Sequence, residues 1–262
     1  MSDPHAVEFL DIAPGLDGDG DIGVGFVEEA RPELTSWEQS EVERAWQESL
    51  ARNPTVFDGP VAAVLGVDRP PAGPLSVRWA PMPYRYRALR RLRPPGRVPG
   101  SLYVTVLVPT ESGLVVGRGS PDTANPGCWT LPGGAVEPPA SDGALDAAEL
   151  RRQAARELLE ETGLRVPSEE LRPWALTRGR RFGSLGFHFL CPTTSGELVR
   201  RRHAALSPAR DGGARAGAAQ DGHGTGPELD ALAFVASPAT AAALGPTADY
   251  LPQLLRRYFS SP

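Results

Sequence analysis

The first hundred residues contain one helical and several extended patterns of apolar positions. Thr35 and Glu38 have the spacing of a capping box, which predicts the start of a helix, and Asn53-Pro54 predicts its end. The approximate apolar stripe of this helix consists of Trp37, Val42, Trp46 and Leu50. Apolar runs predict strands around residues 7–12, 56–67 and 75–82.

The pattern is sharper from residue 101 onward. SLYVTVLVPT, residues 101–110, predicts a strand, and GLVVGRG, residues 113–119, predicts its partner in a β-hairpin. A short strand then leads to Gly133-Gly134, and a long helix follows that ends at Gly163, a residue suited to the left-handed position after a helix. Later strands are predicted around 174–178, 185–192 and 229–236, and a last helix over 247–259.

These elements predict an α/β protein in which a mixed sheet lies between helices. The low-complexity composition of residues 205–225 predicts a mobile loop. The segment YRYRALRRLRPPGR, residues 84–97, is the one dense basic patch, and its first interpretation is a solvated face with aromatic anchors.

Composition excludes some functions. All 27 basic residues are arginine, and the net charge of −5 argues against broad nucleic-acid binding. No apolar run is long enough to span a membrane, and the first residues lack the pattern of a secretory signal. With only two cysteines, the expected location is the cytoplasm.

The long helix carries more carboxylates than its own stability favours. Glu157, Glu160 and Glu161 stand at i, i+3 and i+4, where like charges repel, and two of them lie near the C-terminal end, where the helix dipole disfavours anions. A hard cation such as Mg²⁺ or Mn²⁺ reverses that repulsion. A solvated acidic face is the alternative for a bare cluster of this kind.

The residues around the cluster decide between these interpretations. RELLEETGL, residues 156–164, together with PGCWTLPGGAVE upstream, resembles the signature of the Nudix hydrolase family over about residues 100–195. The resemblance implies an α/β/α sandwich with a mixed sheet, to which a smaller N-terminal α+β extension is added. It also implies divalent-metal-dependent hydrolysis of a nucleoside diphosphate linked to another moiety. The implied metal ligands are Glu157, Glu160, Glu161 and the backbone carbonyl of Gly134, and Arg156 would orient the glutamates.

The sequence departs from the family motif in one place. Twenty-one residues separate Gly134 from Arg156, more than the motif has, and Ala148 stands where the motif has its first glutamate. Glu149 therefore has two interpretations. It is a metal ligand shifted by one residue, or it is the partner of an Asp146 N-cap at the start of the helix.

The inserted residues, PPASDGAL at 138–145, resemble a divergent Nudix branch that cleaves UDP-sugars to UMP and sugar 1-phosphate. AWQESLARNPTVFDGP, residues 45–60, is comparable to the N-terminal extension of that branch. The resemblance implies a division into an extension, 1–98, that helps to build the substrate pocket and a Nudix domain, 99–262. Candidates for stacking a base are Phe57, Tyr84 and Tyr86, and candidates for holding a phosphate are Arg85 and Arg87. Core packing of the aromatic residues is the alternative.

The general base is less defined. Glu228, after the predicted loop, is the first candidate, and His223 inside the loop is a weaker one. Two other functions stay open: removal of oxidised or surplus nucleoside triphosphates, and a non-catalytic module that senses a nucleotide. The expected partner is a small-molecule nucleotide, without nucleic acid or membrane, and a homodimer is compatible with the family.

Overall fold

The computed structural model describes residues 7–10, 23–69, 74–140, 143–206 and 227–260. The strands are β1 (Val7–Leu10), β2 (Val24–Glu28), β3 (Pro60–Asp68), β4 (Leu75–Pro83), β5 (Gly100–Leu107), β6 (Pro109–Thr110), β7 (Gly113–Gly119), β8 (Trp129–Thr130), β9 (Arg172–Gly179), β10 (Leu185–Leu190) and β11 (Leu229–Val235). The helices are α1 (Ser36–Arg52), α2 (Leu89–Leu92), α3 (Ala147–Thr162), α4 (Gly196–Ala204), α5 (Pro238–Ala242) and α6 (Leu251–Ser260). Within these residues, no helix is both long and apolar enough to cross a membrane.

A seven-stranded mixed sheet organises the fold, in the order β1-β9-β10-β5-β3-β4-β2. β10 runs parallel to β5 and β2 runs parallel to β4, while the other neighbours are antiparallel. Side chains alternate between the two faces of each strand. Leu102 and Val104 of β5 therefore pack in the main core with Leu150 and Leu158 of α3, on one face of the sheet. The predicted α/β fold with a mixed sheet is confirmed.

The predicted hairpin of residues 101–119 is only partly correct. Its turn lies where expected, because Thr110 pairs with Gly113, but β7 pairs with the two-residue strand β6 instead of β5. β7 belongs to a second sheet, of order β11-β7-β6, and β8 pairs with β7 beside it. The chain bends at Val108-Pro109, where proline has no N–H for a ladder. The edge of β5 is occupied instead by residues 132–136.

The N-terminal extension and the C-terminal part share a sheet and a core. β3 pairs with β5 through Ala63 and Ser101, and Val77 of β4 lies in the same core cluster as Leu158 of α3. α1 covers the opposite face of β3 and β4, where Val42 packs on Ala63 and Met82. The division at residues 98 and 99 stays a prediction.

Several element details differ from the sequence predictions. Trp37 is 61% exposed, so it does not belong to the buried stripe of α1. The last helix begins at Leu251 instead of residue 247, and the helices α4 and α5 were not predicted from the sequence. Leu145, at the end of the insertion, is buried in the main core. Most of the predicted loop 205–225, including His223, lies outside the described residues.

Candidate active site

Local signals fix both ends of α3. Asp146 caps the N-terminus by accepting a hydrogen bond from the N–H of Glu149 at 2.7 Å, and Gly163 ends the helix with a φ of 71°. Leu150, Ala154 and Leu158 are fully buried against the sheet. Because these apolar residues fix the rotation of the helix, its glutamates are directed along the edge of β5.

The segment that the glutamates meet is an irregular strand along β5. Val104 donates to the carbonyl oxygen of Gly134 at 3.0 Å, and Val106 donates to that of Pro132 at 2.8 Å. Gly133 has a φ of 147°, and a Cβ there would lie 2.1 Å from the carbonyl oxygen of Val104. Glycine is therefore required for this close approach. The Gly134 carbonyl, which the resemblance makes a metal ligand, keeps one of its two lone pairs.

Glu157 and Glu161 both reach this glycine segment. A Cβ on Gly134 would lie 2.4 Å from Oε1 of Glu157, so the carboxylate lies directly over the glycine backbone. Gly133 N–H donates to Oε2 of Glu161 at 2.6 Å, and Glu161 is 4% exposed. The two carboxylates thus approach the same two residues from successive turns of α3.

Electrostatics at the pair is unfavourable to negative charge. Burial raises the pKa of Glu157 to about 8, and the charges of Glu228 and Glu160 add to this effect. Burial also raises the pKa of Glu161 well above its ordinary value, and the neighbouring Glu157 charge contributes next. Buried carboxylates with this environment are characteristic of functional sites.

Glu228 is brought close to the pair by the second sheet. It directly precedes β11, and its carbonyl oxygen accepts a hydrogen bond from Ser120 N–H at 2.8 Å, next to the end of β7. Its side chain is exposed, yet its charge raises the pKa of both Glu157 and Glu161. The predicted candidate base therefore lies near the box glutamates, although more than sixty residues separate them in the sequence.

Glu137 is a site residue that sequence reasoning missed. Nη2 of Arg156 lies 2.9 Å from Oε2 of Glu137, so the arginine of the motif forms an ion pair with an acid that directly follows the glycine segment. Gln153 fixes the backbone of Glu137 from both sides, accepting from its N–H at 2.8 Å and donating to its carbonyl at 2.9 Å. The available signal was its position, three residues after Gly134 in GGAVE.

Glu149 and Glu160 lie farther from the glycine segment on the polar side of α3. The carboxylate of Glu149 accepts hydrogen bonds from Arg152 at 2.7 Å and from Gln153 at 2.8 Å, and its N–H binds the cap. The N–H of Glu149 thus takes part in the Asp146 cap and its carboxylate does not, and a role of Glu149 as a metal ligand stays a prediction. Glu160 is exposed, and its charge raises the pKa of both Glu157 and Glu161.

The substrate candidates of the extension lie on two connected loops. Tyr84, Arg85, Tyr86 and Arg87 form a 3₁₀ turn after β4, which is joined to the loop of Phe57 by the hydrogen bond from Tyr84 N–H to the carbonyl oxygen of Gly59. Phe57 is 58% exposed. Arg85 is held by Asp58, with 2.7 Å from its N–H and 3.4 Å from its Nε, and Tyr86 packs partly against the core under α1.

Two hydrogen bonds connect that loop with the Glu228 side of the molecule. Asn53, at the end of α1, donates to the carbonyl oxygen of Asp122 at 2.7 Å. Asp122 lies in the loop that begins at Ser120, which in turn binds the backbone of Glu228. The segment between α1 and β3, which carries Phe57, is therefore linked through Asn53 to the loop that binds the Glu228 backbone.

The donor set fits a hard divalent cation. Glu157, Glu161 and the Gly134 carbonyl are oxygen donors, the class that Mg²⁺ and Mn²⁺ prefer, and the raised pKa values mark a place where positive charge is missing. Among the described residues, no three side chains of His, Cys, Asp or Glu already form a metal-binding cluster. The fit thus rests on the carboxylates of Glu157 and Glu161 and on the glycine backbone that both approach.

Comparison with known proteins identifies this region. Residues 101–208 match the family model described as "NUDIX domain". This part of the chain therefore has the sequence of a NUDIX domain. The match spans β5 to α4, so it includes the glycine segment and the whole of α3, and it confirms the Nudix domain predicted from residues 126–137 and 156–164. No protein with a curated description matches the chain.

Solved structures with similarity to the chain include three proteins from different organisms. The MutT protein of Methanosarcina mazei Go1 has 19% sequence identity and a TM-score of 0.37, over 60% of this chain and 91% of that protein. The NUDIX domain of Shewanella oneidensis NrtR, complexed with ADP ribose, has 16% identity and a TM-score of 0.38, over 61% and 86%. The Nudix hydrolase RenU of M. smegmatis has 18% identity and a TM-score of 0.32, over 62% and 85%.

Proposed function

We propose that the Nudix domain hydrolyses the pyrophosphate bond of a nucleoside diphosphate linked to another moiety, with Mg²⁺ or Mn²⁺ as cofactor. The observation that supports this most directly is the approach of two carboxylates, the half-buried Glu157 and the buried Glu161, to the Gly133-Gly134 backbone. The proposed ligands are these two residues, Glu160 and the Gly134 carbonyl. Bound there, the cation would neutralise pyrophosphate charge and lower the pKa of a bound water.

The protein groups have distinct proposed roles. Gly133 N–H fixes one carboxylate oxygen of Glu161 and leaves the other oxygen for coordination. Arg156 is held by Glu137 and lowers the pKa of Glu157, so it favours the charged, ligating form of that residue. Glu228 accepts the proton of the attacking water, because it is a carboxylate near Glu157 and Glu161 that does not belong to α3.

The proposed substrate is a nucleoside diphosphate sugar, such as a UDP-sugar. Water adds to one phosphorus, the bond from that phosphorus to the bridging oxygen breaks, and the products are the nucleoside monophosphate and sugar 1-phosphate. The extension, 1–98, supports this class because it places Phe57 and Tyr84 at loops connected to the Glu228 side. These rings stack the base, and Arg85 faces the phosphates.

A substrate panel tests the proposal. Purified protein with Mg²⁺ or Mn²⁺ is incubated with UDP-sugars, other nucleoside diphosphate sugars, ADP-ribose, dinucleotides and nucleoside triphosphates, and the products are separated by chromatography. We expect hydrolysis of at least one nucleoside diphosphate sugar to the monophosphate and sugar 1-phosphate, and no turnover with EDTA. Preferred hydrolysis of triphosphates would replace the substrate class, and no turnover on the whole panel would favour a nucleotide-sensing module.

A further inference from the structure

A cluster of positive charge lies where the extension meets the turn between β9 and β10. It consists of Arg87 and Arg90 from the extension and Arg181 from the turn, and we call it the Phe182 cluster because the aromatic ring is its centre. Cζ of Arg90 and Cζ of Arg181 each lie 4.9 Å from the ring centroid of Phe182. Arg87 is close enough for its charge to act on Arg90.

Arg90 is the unusual member of this cluster. Its Nη2 donates to the hydroxyl oxygen of Ser101 at 3.0 Å and to that of Ser184 at 3.2 Å. Its Nε is covered from solvent and has no hydrogen-bond partner. A buried donor without an acceptor is rare in a folded protein, because it costs the full desolvation of the group.

Arg85 and Arg93 are paired with acids, and Arg87 and Arg90 are not. Arg93, one turn later, binds Glu38 through Nε at 2.6 Å, and Arg85 binds Asp58. Within the described ranges, no ion pair includes Arg87 or Arg90. The chain has an excess of acids, 32 against 27 basic residues, so this lack of carboxylates is local and does not follow from composition.

The energetics of the cluster favour an anion. Nε of Arg90 has no partner, and burial, followed by the charge of Arg87, lowers the pKa of Arg90 to about 10. The cation–π contact with Phe182 offsets part of the desolvation. An oxyanion would compensate the remaining cost of the Arg90 charge. A guanidinium presents a planar fork of donors that matches phosphate, and serine hydroxyls can donate to the same phosphate oxygens.

The cluster is separate from the candidate metal site. Ser101 alternates along β5 with Leu102, and Leu102 packs in the core with α3. Ser101, and with it Arg90, therefore lies on the face of the sheet opposite to α3 and its glutamates.

We propose that Arg90 and Arg87, with the hydroxyls of Ser101 and Ser184, form a binding site for a phosphate group at this junction. The source is either the phosphate of a nucleotide or free inorganic phosphate. The proposal does not depend on hydrolysis, because neither the carboxylates of α3 nor a divalent cation takes part.

Thermal unfolding with inorganic phosphate tests this site in the full chain. The wild type, Arg90→Met and the control Arg91→Met, an exposed residue of the same helix, are titrated with phosphate against sodium chloride of equal ionic strength, with EDTA present. General salt effects act equally on all three proteins. We expect a saturable rise of Tm in the wild type and in Arg91→Met. In Arg90→Met the apparent Kd should weaken at least about tenfold, because hydrogen bonds to charged groups are lost.

Two results would overturn the site: phosphate raises the Tm of the wild type no more than chloride does, or Arg91→Met weakens the response as much as Arg90→Met. Without phosphate, Arg90→Met should be at least as stable as the wild type, because a half-buried cation without an ion pair is removed. If that variant does not fold, Arg87→Met replaces it, with an expected severalfold weaker response, and an unchanged response would then reject the site.

A parallel titration with UMP identifies the source. A UMP-induced rise of Tm that is lost in Arg90→Met assigns the site to a nucleotide phosphate. A response to inorganic phosphate alone assigns it to a free anion. Both measurements work in a catalytically inactive protein, so failure of the proposed hydrolase leaves them interpretable.

Discussion

Two glutamates, one in each half of the molecule, are almost equally buried and have opposite environments. Glu38 in α1 is 9% exposed and Glu161 in α3 is 4% exposed. The carboxylate of Glu38 accepts hydrogen bonds from Nε and Nη2 of Arg93 and from the N–H of Thr35, and its pKa is lowered to about 2, first by the bond with Arg93. Glu161 receives one backbone N–H and has Glu157 as its neighbour, and its pKa is raised.

This difference distinguishes a structural carboxylate from a functional one. Glu38 is stabilised as an anion by groups inside the chain, so its site is complete. Among the described residues no ion pair includes Glu161, and its charged form is unfavourable until something positive binds. Burial alone, or the residue type alone, would have put both residues in one class.

The largest effect is expected for Glu161→Gln. Loss of the charged ligand should lower kcat/KM at least about a hundredfold, corresponding to about 2.7 kcal/mol. In EDTA the same change should raise the Tm, since an uncompensated buried carboxyl becomes a neutral amide. Activity assays on the best substrate of the panel and thermal unfolding measure the two effects. Glu197→Gln, an exposed residue in the first turn of α4, is the control, and unaltered activity of Glu161→Gln would remove the residue from the metal site.

Glu38→Gln should have the opposite effect on stability to Glu161→Gln and lower the Tm by several degrees. The folded-state pKa of Glu38, about 2, lies below its ordinary value of 4.5, so its contribution is present above pH 4.5 and disappears as the pH falls toward 2. The wild type should therefore lose its advantage over Glu38→Gln between these pH values. Tm measured from pH 2 to 6 tests this, with Glu43→Gln of the same helix as control. A constant difference across that range would show that the Arg93 pairing does not stabilise the fold.

Tyr250→Phe should have an intermediate effect on stability and on the Mg²⁺ dependence of activity, because Tyr250 supports the backbone that binds Glu161. The Tyr250 hydroxyl lies 2.6 Å from Oγ1 of Thr130 and accepts from the N–H of Leu131 at 3.3 Å, just before the glycine that holds Glu161. Phenylalanine keeps the stacking on Tyr103, whose ring centroid is 5.5 Å away. Loss of the acceptor should cost about 1–3 kcal/mol of stability. It should also raise the Mg²⁺ concentration needed for half-maximal activity. A Mg²⁺ dependence identical to that of the wild type would limit Tyr250 to a packing role.

Local signals made part of this site predictable. Asp146 and Gly163 mark the ends of α3 in the sequence, and the spacing of Glu157, Glu160 and Glu161 on one helix follows from its periodicity. Contacts between distant segments were not predictable in the same way. The bond of Glu137 to Arg156 depends on how residues 132–136 lie along β5, and the sequence pattern of 101–119 predicted a hairpin that would have occupied that edge.

The basic segment of residues 84–97 shows the same limit. Arg85, Arg90 and Arg93 are equivalent in a sequence pattern, which predicts a solvated face. In the structure, Arg85 and Arg93 meet acids that precede them by 27 and 55 residues, whereas Arg90 meets two serine hydroxyls. Pairing of this kind is decided by tertiary packing, and packing also decides which cation stays uncompensated.

The smallest effect is expected for Glu149→Gln, and it decides between the two interpretations of that residue. If Glu149 is a metal ligand shifted by one residue, Glu149→Gln should lower kcat/KM as much as Glu161→Gln does. The structure instead places the carboxylate against Arg152 and Gln153, so we expect a change in kcat/KM below about twofold, with a stability loss of about 0.3–0.5 kcal/mol for the exposed ion pair. Glu137→Gln in the same assay is the informative companion. Because Glu137 holds Arg156, Glu137→Gln should lower kcat/KM more than Glu149→Gln does. A larger loss of activity in Glu149→Gln would indicate that Glu149 replaces the first glutamate of the motif.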